Sequence, residues 1–310
     1  MKYGLWIILC CISMSVWAAD TVKPESTVPM INTAPKSVAE LLAVDNALSN
    51  LVEKARARAE DAAKQGDIDT AVAVMQTAAA TTKRLDEIYK AYLSAHPDDY
   101  KAINYYGNFC ADMLGDEKQA LKLWRKALKL NPDCADAHNN LGTYYLHRGD
   151  AGRAMDEFRT AIKIEPKNPD YHFNIAQAYY LFRPIALEKY GWNLEQLYEH
   201  AMAESHRAVE LKPNDYKLRQ DYAISFFGAE QFGVKADWNA ARRAWAKCRE
   251  LAPDTDQKIH SFLYSARVEL RAGKYKKARE FAQKALELEP NSKSAKRLIE
   301  MSLEKSKSTV

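Results

Sequence analysis

Apolar residues return every three or four positions along most of this chain, and Gly or Pro separates the stretches that show the pattern. That period belongs to amphipathic helices. Asp45–Lys64 and Asp67–Ala95 predict a stretched helical hairpin turned at Gly66, whose second helix runs on through Leu85, Ile88 and Tyr92. Ser292–Lys307 predicts a last helix, with Ala295, Leu298, Ile299 and Met301 apolar among lysines. Between them the pattern repeats. Gly149, Ala154, Phe158, Ala161 and Pro166 are matched by Gly115, Ala120, Trp124, Ala127 and Pro132, and again by Gly273, Ala278, Ala282, Ala285 and Pro290. Pro132 lies 35 residues after Pro97, and Pro166 lies 34 after Pro132. Each unit reads as two helices split by a glycine turn and closed by a proline. The alanines let the two helices approach closely, and the aromatic fills the space beside them. One such hairpin cannot bury its own apolar face, so the units must stack.

The unit resembles the tetratricopeptide repeat. Its clearest copy spans 135–168, with Leu141, Gly142, Tyr145, Gly149, Ala154, Phe158, Ala161 and Pro166 in the family's signature places and His138 where the family often has Trp. Further copies are read at 101–134, 169–215, 216–258 and 259–292. In the first of these Gly107 and Asn108 stand in for the expected Leu-Gly pair. The resemblance implies an all-α solenoid, a right-handed superhelix of helical hairpins. An extended hairpin at 37–100 precedes the five repeats, and a capping helix and tail at 293–310 follow them. Two repeats are stretched by inserts, Arg183–Trp192 and Gly228–Ala236. Equivalent loops of consecutive repeats leave a solenoid on one edge, so the inserts should be neighbours, with Tyr190, Trp192, Phe232 and Trp238 packing on one another.

The first residues read as an address. Lys2 precedes an uncharged apolar run from Gly4 to Val16, and Ala18 and Ala19 supply small residues for cleavage. This is the form of a secretory signal peptide over 1–18, with a run short for a membrane span. Residues 19–36 carry Pro24, Pro29 and Pro35 among Ser and Thr and read as a tether, after which Ser37 and Glu40 suit a capping box. The mature chain is then periplasmic or secreted, without stable membrane insertion. Cys110, Cys134 and Cys248 are too few for a closed disulfide framework. Cys110 and Cys248 read as small buried hydrophobes, and Cys134, beside a turn, as the thiol to test for reactivity.

Charge narrows the partners. Lys and Arg number 45 against 41 Asp and Glu, a net charge of +4 that gives no case for nucleic acid. The chain has no His-Glu-x-x-His, paired Cys-x-x-Cys or phosphate-binding glycine loop. Glu199, His200, Glu204 and His206 cluster in sequence, but at ~100° per residue they point different ways around a helix. No catalytic residue, metal or cofactor is therefore assigned. The alternatives are an enzyme or metal-dependent binder built on the insert near His200 and His206, or a self-assembling structural protein.

The preferred reading is a non-catalytic protein–protein interaction scaffold, holding peptide segments or assembling an envelope complex. Repeat phase places Tyr105, Tyr106 and Phe109 on the concave groove, then Asn139, Asn140 and Thr143, then Phe173, Asn174, Gln177 and Tyr180, and finally Gln220 and Asp221. Amides can pair with a guest's backbone while rings take its side chains. Asn140 and Asn174 recur at one repeat position and form the expected amide ladder. Family members that clamp a C-terminal carboxylate carry Lys and Arg in these rows, and this chain does not. Its cations gather at the other end, where Arg267–Lys307 holds 12 Lys and Arg against 6 Asp and Glu and reads as a solubilising cap.

Overall fold

A computed structural model describes residues 34–307, built of fourteen α-helices with one 3₁₀ segment. No strand occurs among the described residues. The signal peptide and most of the tether lie outside them. The chain divides into two compact units, the first ending at Ala137 and the second beginning at His138.

The first unit holds α1 (Val38–Lys64), α2 (Ile68–Ala95), α3 (Tyr100–Asp112) and α4 (Glu117–Leu130). Helix α1 starts at Val38 because the Ser37 hydroxyl accepts the Glu40 N–H, while the Glu40 carboxylate reaches back to the Lys36 N–H at 2.8 Å. It pairs antiparallel with α2. Ala59, Ala62 and Ala71 pack beside the Gly66 turn, and at the far end Tyr89 donates its hydroxyl to Asp45 at 2.6 Å. The long second helix is explained by what it covers. Tyr89 stacks on Tyr106 of α3 at 5.2 Å and lies 5.5 Å from Phe109, so the extra turns bury an aromatic cluster.

Within the α3–α4 hairpin, Gly107 is the close-approach residue. A Cβ there would sit 2.6 Å from Trp124 Nε1, and the indole N–H donates to Asn108. Gly142 has the same relation to Phe158, at 2.5 Å. This corrects the expected register: Tyr106-Gly107 does the work of Leu141-Gly142, and Asn108 instead serves the ring of the second helix.

The second unit continues α5 (Ala135–His147), which the division crosses near its start, with α6 (Ala151–Ile164), α7 (Pro169–Leu181), α8 (Arg183–Tyr190) and α9 (Leu194–Leu211). Then come α10 (Tyr216–Ser225), the 3₁₀ segment Phe226–Phe232, α11 (Trp238–Leu251), α12 (Thr255–Arg271), α13 (Tyr275–Leu288) and α14 (Lys293–Lys307). Two of the second helices start on aspartate caps, Asp150 for α6 and Asp237 for α11, and α9 starts on Asn193. Their inner faces are alanine: Ala154 and Ala161 in α6, Ala201 and Ala208 in α9, and Ala278 and Ala285 in α13 are essentially inaccessible. In α11 the matching places hold Ala241 and Cys248. Cys248 is thus a thiol in an alanine position, and burial pushes it up to about 12. Cys110 is raised to about 11 for the same reason. Cys134, expected to be the accessible thiol, is also buried and raised by desolvation, so the turn beside it does not make it reactive.

Helix α14 closes the last hairpin. Leu298 joins Ala266, Leu270, Ala278 and Ala282 in one cluster, with Ile299 and Met301 packed against it. One pair of charges is taken inside this end. The Arg242 guanidinium on α11 makes two parallel bonds to the Glu269 carboxylate on α12, at 2.6 and 3.0 Å, and Glu269 is only 1% exposed.

Candidate functional site

The expected groove residues fall into two groups. Tyr105, Tyr106 and Phe109 belong to the first unit. Tyr106 and Phe109 are buried in the cluster under α2, with the Tyr106 hydroxyl donating to Asp86 at 2.8 Å. Repeat phase alone could not show this, because the covering helix is not a standard repeat. Those two rings are core, and Tyr105 is half-buried beside them.

In the second unit the expected residues lie on the first helices of successive hairpins, α5, α7 and α10, and are half-buried. The Asn174 amide N–H donates to the Asn139 carbonyl oxygen at 2.8 Å. The Asn174 side-chain amide thus meets Asn139, the neighbour of its repeat equivalent Asn140. An amide carries donors and acceptor lone pairs beyond those this single bond consumes. The Thr143 hydroxyl donates back to the Asn139 backbone carbonyl. Phe173 packs against Ala208, Val209 and Leu218, which ties α7 to α9 and α10. The polar row resumes on α10 and α12, where the Gln220 amide nitrogen meets His260 Nδ1 at 2.9 Å. Burial raises the Asp221 carboxyl above its ordinary range. Gln177 is half-buried on α7, and Tyr180 stands edge-on to Phe232 at 5.9 Å.

The two inserts are neighbours. Arg183 donates to the Gln231 carbonyl oxygen at 3.1 Å and lies over the Phe232 ring at 5.1 Å. Tyr190 stacks on Trp192 at 4.5 Å, and Trp192 on His200 at 3.9 Å. Tyr190 and Trp192 also meet Tyr179 edge-on, while Phe232 lies against Tyr180 and Tyr198 and not in their stack. Trp238 stands apart from that group, against Phe227 at 5.4 Å. The His200–His206 cluster does not converge. Glu204 faces His172, and His206 lies 3.6 Å from Glu210. No group of three or more His, Cys, Asp or Glu side chains is placed to hold a metal among the described residues.

Sequence reasoning missed one device. His138 Nδ1 meets Glu157 at 2.6 Å, and one repeat later His172 Nδ1 meets Glu204 at 2.5 Å. His172 Nε2 also lies 3.0 Å from the Pro166 carbonyl. Both partners of this buried ring are acceptors, so satisfying both requires the doubly protonated imidazolium. Burial opposes that charge, and Arg207 on the same helix as Glu204 adds to the opposition. The bonds to Glu204 and Pro166 outweigh them and raise the pKa above 6.5. A raised folded-state pKa gives stability that is complete below the unfolded value and lost as pH rises through the folded one. The melting-temperature advantage of the wild type over His172→Gln should therefore be largest below about pH 6 and shrink on raising the pH to ~8.5. An advantage constant across that range, followed by calorimetry, would contradict the charged assignment.

Two tetratricopeptide-repeat family models match the sequence, over residues 111–169 and 265–292. This chain carries tetratricopeptide repeats. Solved structures share the fold at low identity. A tetratricopeptide-repeat protein named YrrB, described as having an unusual peptide-binding site, is 20% identical with a TM-score of 0.52, covering 68% of this chain and 97% of that one. The C-terminal part of a repeat-containing protein from Cytophaga hutchinsonii is 19% identical with a TM-score of 0.52, covering 84% and 99%. PilF of Pseudomonas aeruginosa is 14% identical with a TM-score of 0.50, covering 82% and 97%. No curated protein matches the sequence at a significant level. The tetratricopeptide-repeat fold is of the protein-interaction scaffold type, and no described helix is long and apolar enough to cross a membrane.

Proposed function

We propose that this tetratricopeptide-repeat protein is a non-catalytic scaffold that holds an extended polypeptide against the first helices of its second unit, α5, α7 and α10. The observation that carries the reading is the half-buried polar row, with the Asn139–Asn174 pair at one end and Gln220 at the other. Its amides are close enough to order one another and keep capacity for a guest's N–H and C=O groups. Phe173 between them offers a ring face to a guest side chain. Tyr106, Phe109 and the insert aromatics have little part in this, since packing consumes them. The similarity to YrrB, a protein described by its peptide-binding site, points the same way. We place the scaffold outside the cytoplasm on the strength of residues 1–18, and a mature chain beginning near Ala19 is the check.

The test is the double variant Asn139→Ala/Asn174→Ala against peptides captured by the wild-type chain. Affinity should fall roughly three- to tenfold, the effect of losing about one net hydrogen bond. The melting temperature should barely change, because the two amides leave together and neither remains unsatisfied. Unchanged affinity with a lowered melting temperature would assign both residues to the scaffold alone.

A further inference from the structure

The second unit carries a cleft of about 610 Å³ away from the amide row, bounded by the end of α10 and the following 3₁₀ segment, by α12 and by α14. Its floor is apolar. Ile224, Phe227, Leu298 and Met301 line it, and Ile224 is 36% exposed. Phe227 packs against Trp238 at 5.4 Å and Tyr264 at 5.6 Å. The rim is cationic. Arg267, Arg271, Lys293 and Arg297 line the cleft, and no carboxylate does. Arg271 is neutralised by Glu230 at 2.6 Å. The other three are exposed and little compensated: Arg267 lies over the Tyr264 ring at 4.6 Å, Arg297 reaches Glu300 only at 3.7 Å, and Lys293 pairs with no carboxylate among the described residues.

Three like charges around an apolar floor repel one another and attract an anionic guest. The floor rejects a simple inorganic anion, which would gain nothing from Phe227 and Met301. We propose that this cleft seats a short acidic segment of the partner polypeptide, one apolar side chain resting on Ile224, Phe227 and Met301 while flanking carboxylates meet Arg267, Lys293 and Arg297. The inference deepens the scaffold reading and rests on it. It adds that the guest is acidic where it meets the C-terminal hairpin, so the excess of Lys and Arg there does more than keep the last helix soluble.

Three fluorescent peptides, measured by anisotropy on the full mature chain, test it. Each has a central Leu-Phe pair, flanked by Asp and Glu in the first, by Asn and Gln in the second and by Lys in the third. The acidic peptide should bind tightest and weaken as salt rises from ~50 to ~300 mM. The variant Arg267→Glu/Lys293→Glu/Arg297→Glu should weaken it roughly tenfold or more and strengthen the lysine peptide. Arg267→Lys/Arg297→Lys should keep most of the affinity, and circular dichroism should show both variants folded. Equal binding of the acidic and neutral peptides, or an acidic peptide indifferent to the charge reversals, would overturn the proposal. If the neutral peptide then still depends on Asn139 and Asn174, the scaffold reading survives that failure. Binding of none of the three overturns both. Sedimentation with phosphatidylglycerol vesicles, lost on the same reversals while no peptide competes, overturns it in favour of a membrane surface.

Discussion

Arg242→Ala should destabilise this protein by about 3–5 kcal/mol, the usual result of leaving a buried charge without its partner. The carboxylate at risk is Glu269, 1% exposed and held by two guanidinium bonds. The carboxylate lies in the α11–α12 seam, where Trp245 and Val268 are wholly buried. Arg242→Lys should recover only part of the loss, since one ammonium cannot reproduce both parallel bonds. Arg242→Met/Glu269→Leu should cost far less than Arg242→Ala alone, because no charge is then stranded. Urea unfolding of the three variants checks the ranking. A small loss for Arg242→Ala with a large one for the double variant would show that the pair contributes packing and not charge compensation.

Gly142→Ala should also destabilise, by roughly 1–3 kcal/mol, although alanine is the better helix former by about 1 kcal/mol. The added methyl would lie 2.5 Å from the ring of Phe158, and that ring is 1% exposed, with nowhere to turn. Gly152 supplies the control. It lies in α6, where the nearest obstacle to a Cβ is Ile185 at 3.9 Å, so Gly152→Ala should be neutral or stabilising by up to about 1 kcal/mol. Opposite signs for the two changes in thermal melting are the expected result. If both stabilise, the close approach of α5 and α6 is not what fixes glycine at 142.

These two sites show where the sequence was readable. The pattern of Gly, Ala and aromatic residues gave the hairpins and placed Gly142 and Phe158, because close helix approach restricts residue size and repeats that restriction in every unit. It misplaced the matching glycine of the preceding repeat by one position, since the longer spacing from Pro97 to Pro132 shifts the first helix, and only the ring of Trp124 over Gly107 reveals the register. That Asn139 meets Asn174 is visible only with the neighbouring helix in view. Burial of Tyr106 and Phe109 depends on α2, which follows no repeat rule. Glu269 was counted among the surface charges of the C-terminal end, and nothing in its immediate sequence distinguishes it. Its partner lies 27 residues away. The same holds for His172 and Glu204, 32 residues apart. Polar pairs of this kind are set by three-dimensional proximity, and local periodicity carries no trace of them.

The hairpin stacking has a kinetic consequence. Within each unit, helices pack on others one or two steps away along the chain, as α11 does with α12 and α13 with α14. Loop closure is therefore cheap at every stage, and folding need not wait for distant segments. A chain that emerges from a narrow channel N-terminus first can complete one hairpin while the next is still threading. Cys110, Cys134 and Cys248 are free thiols, so no disulfide among them has to form before the structure sets.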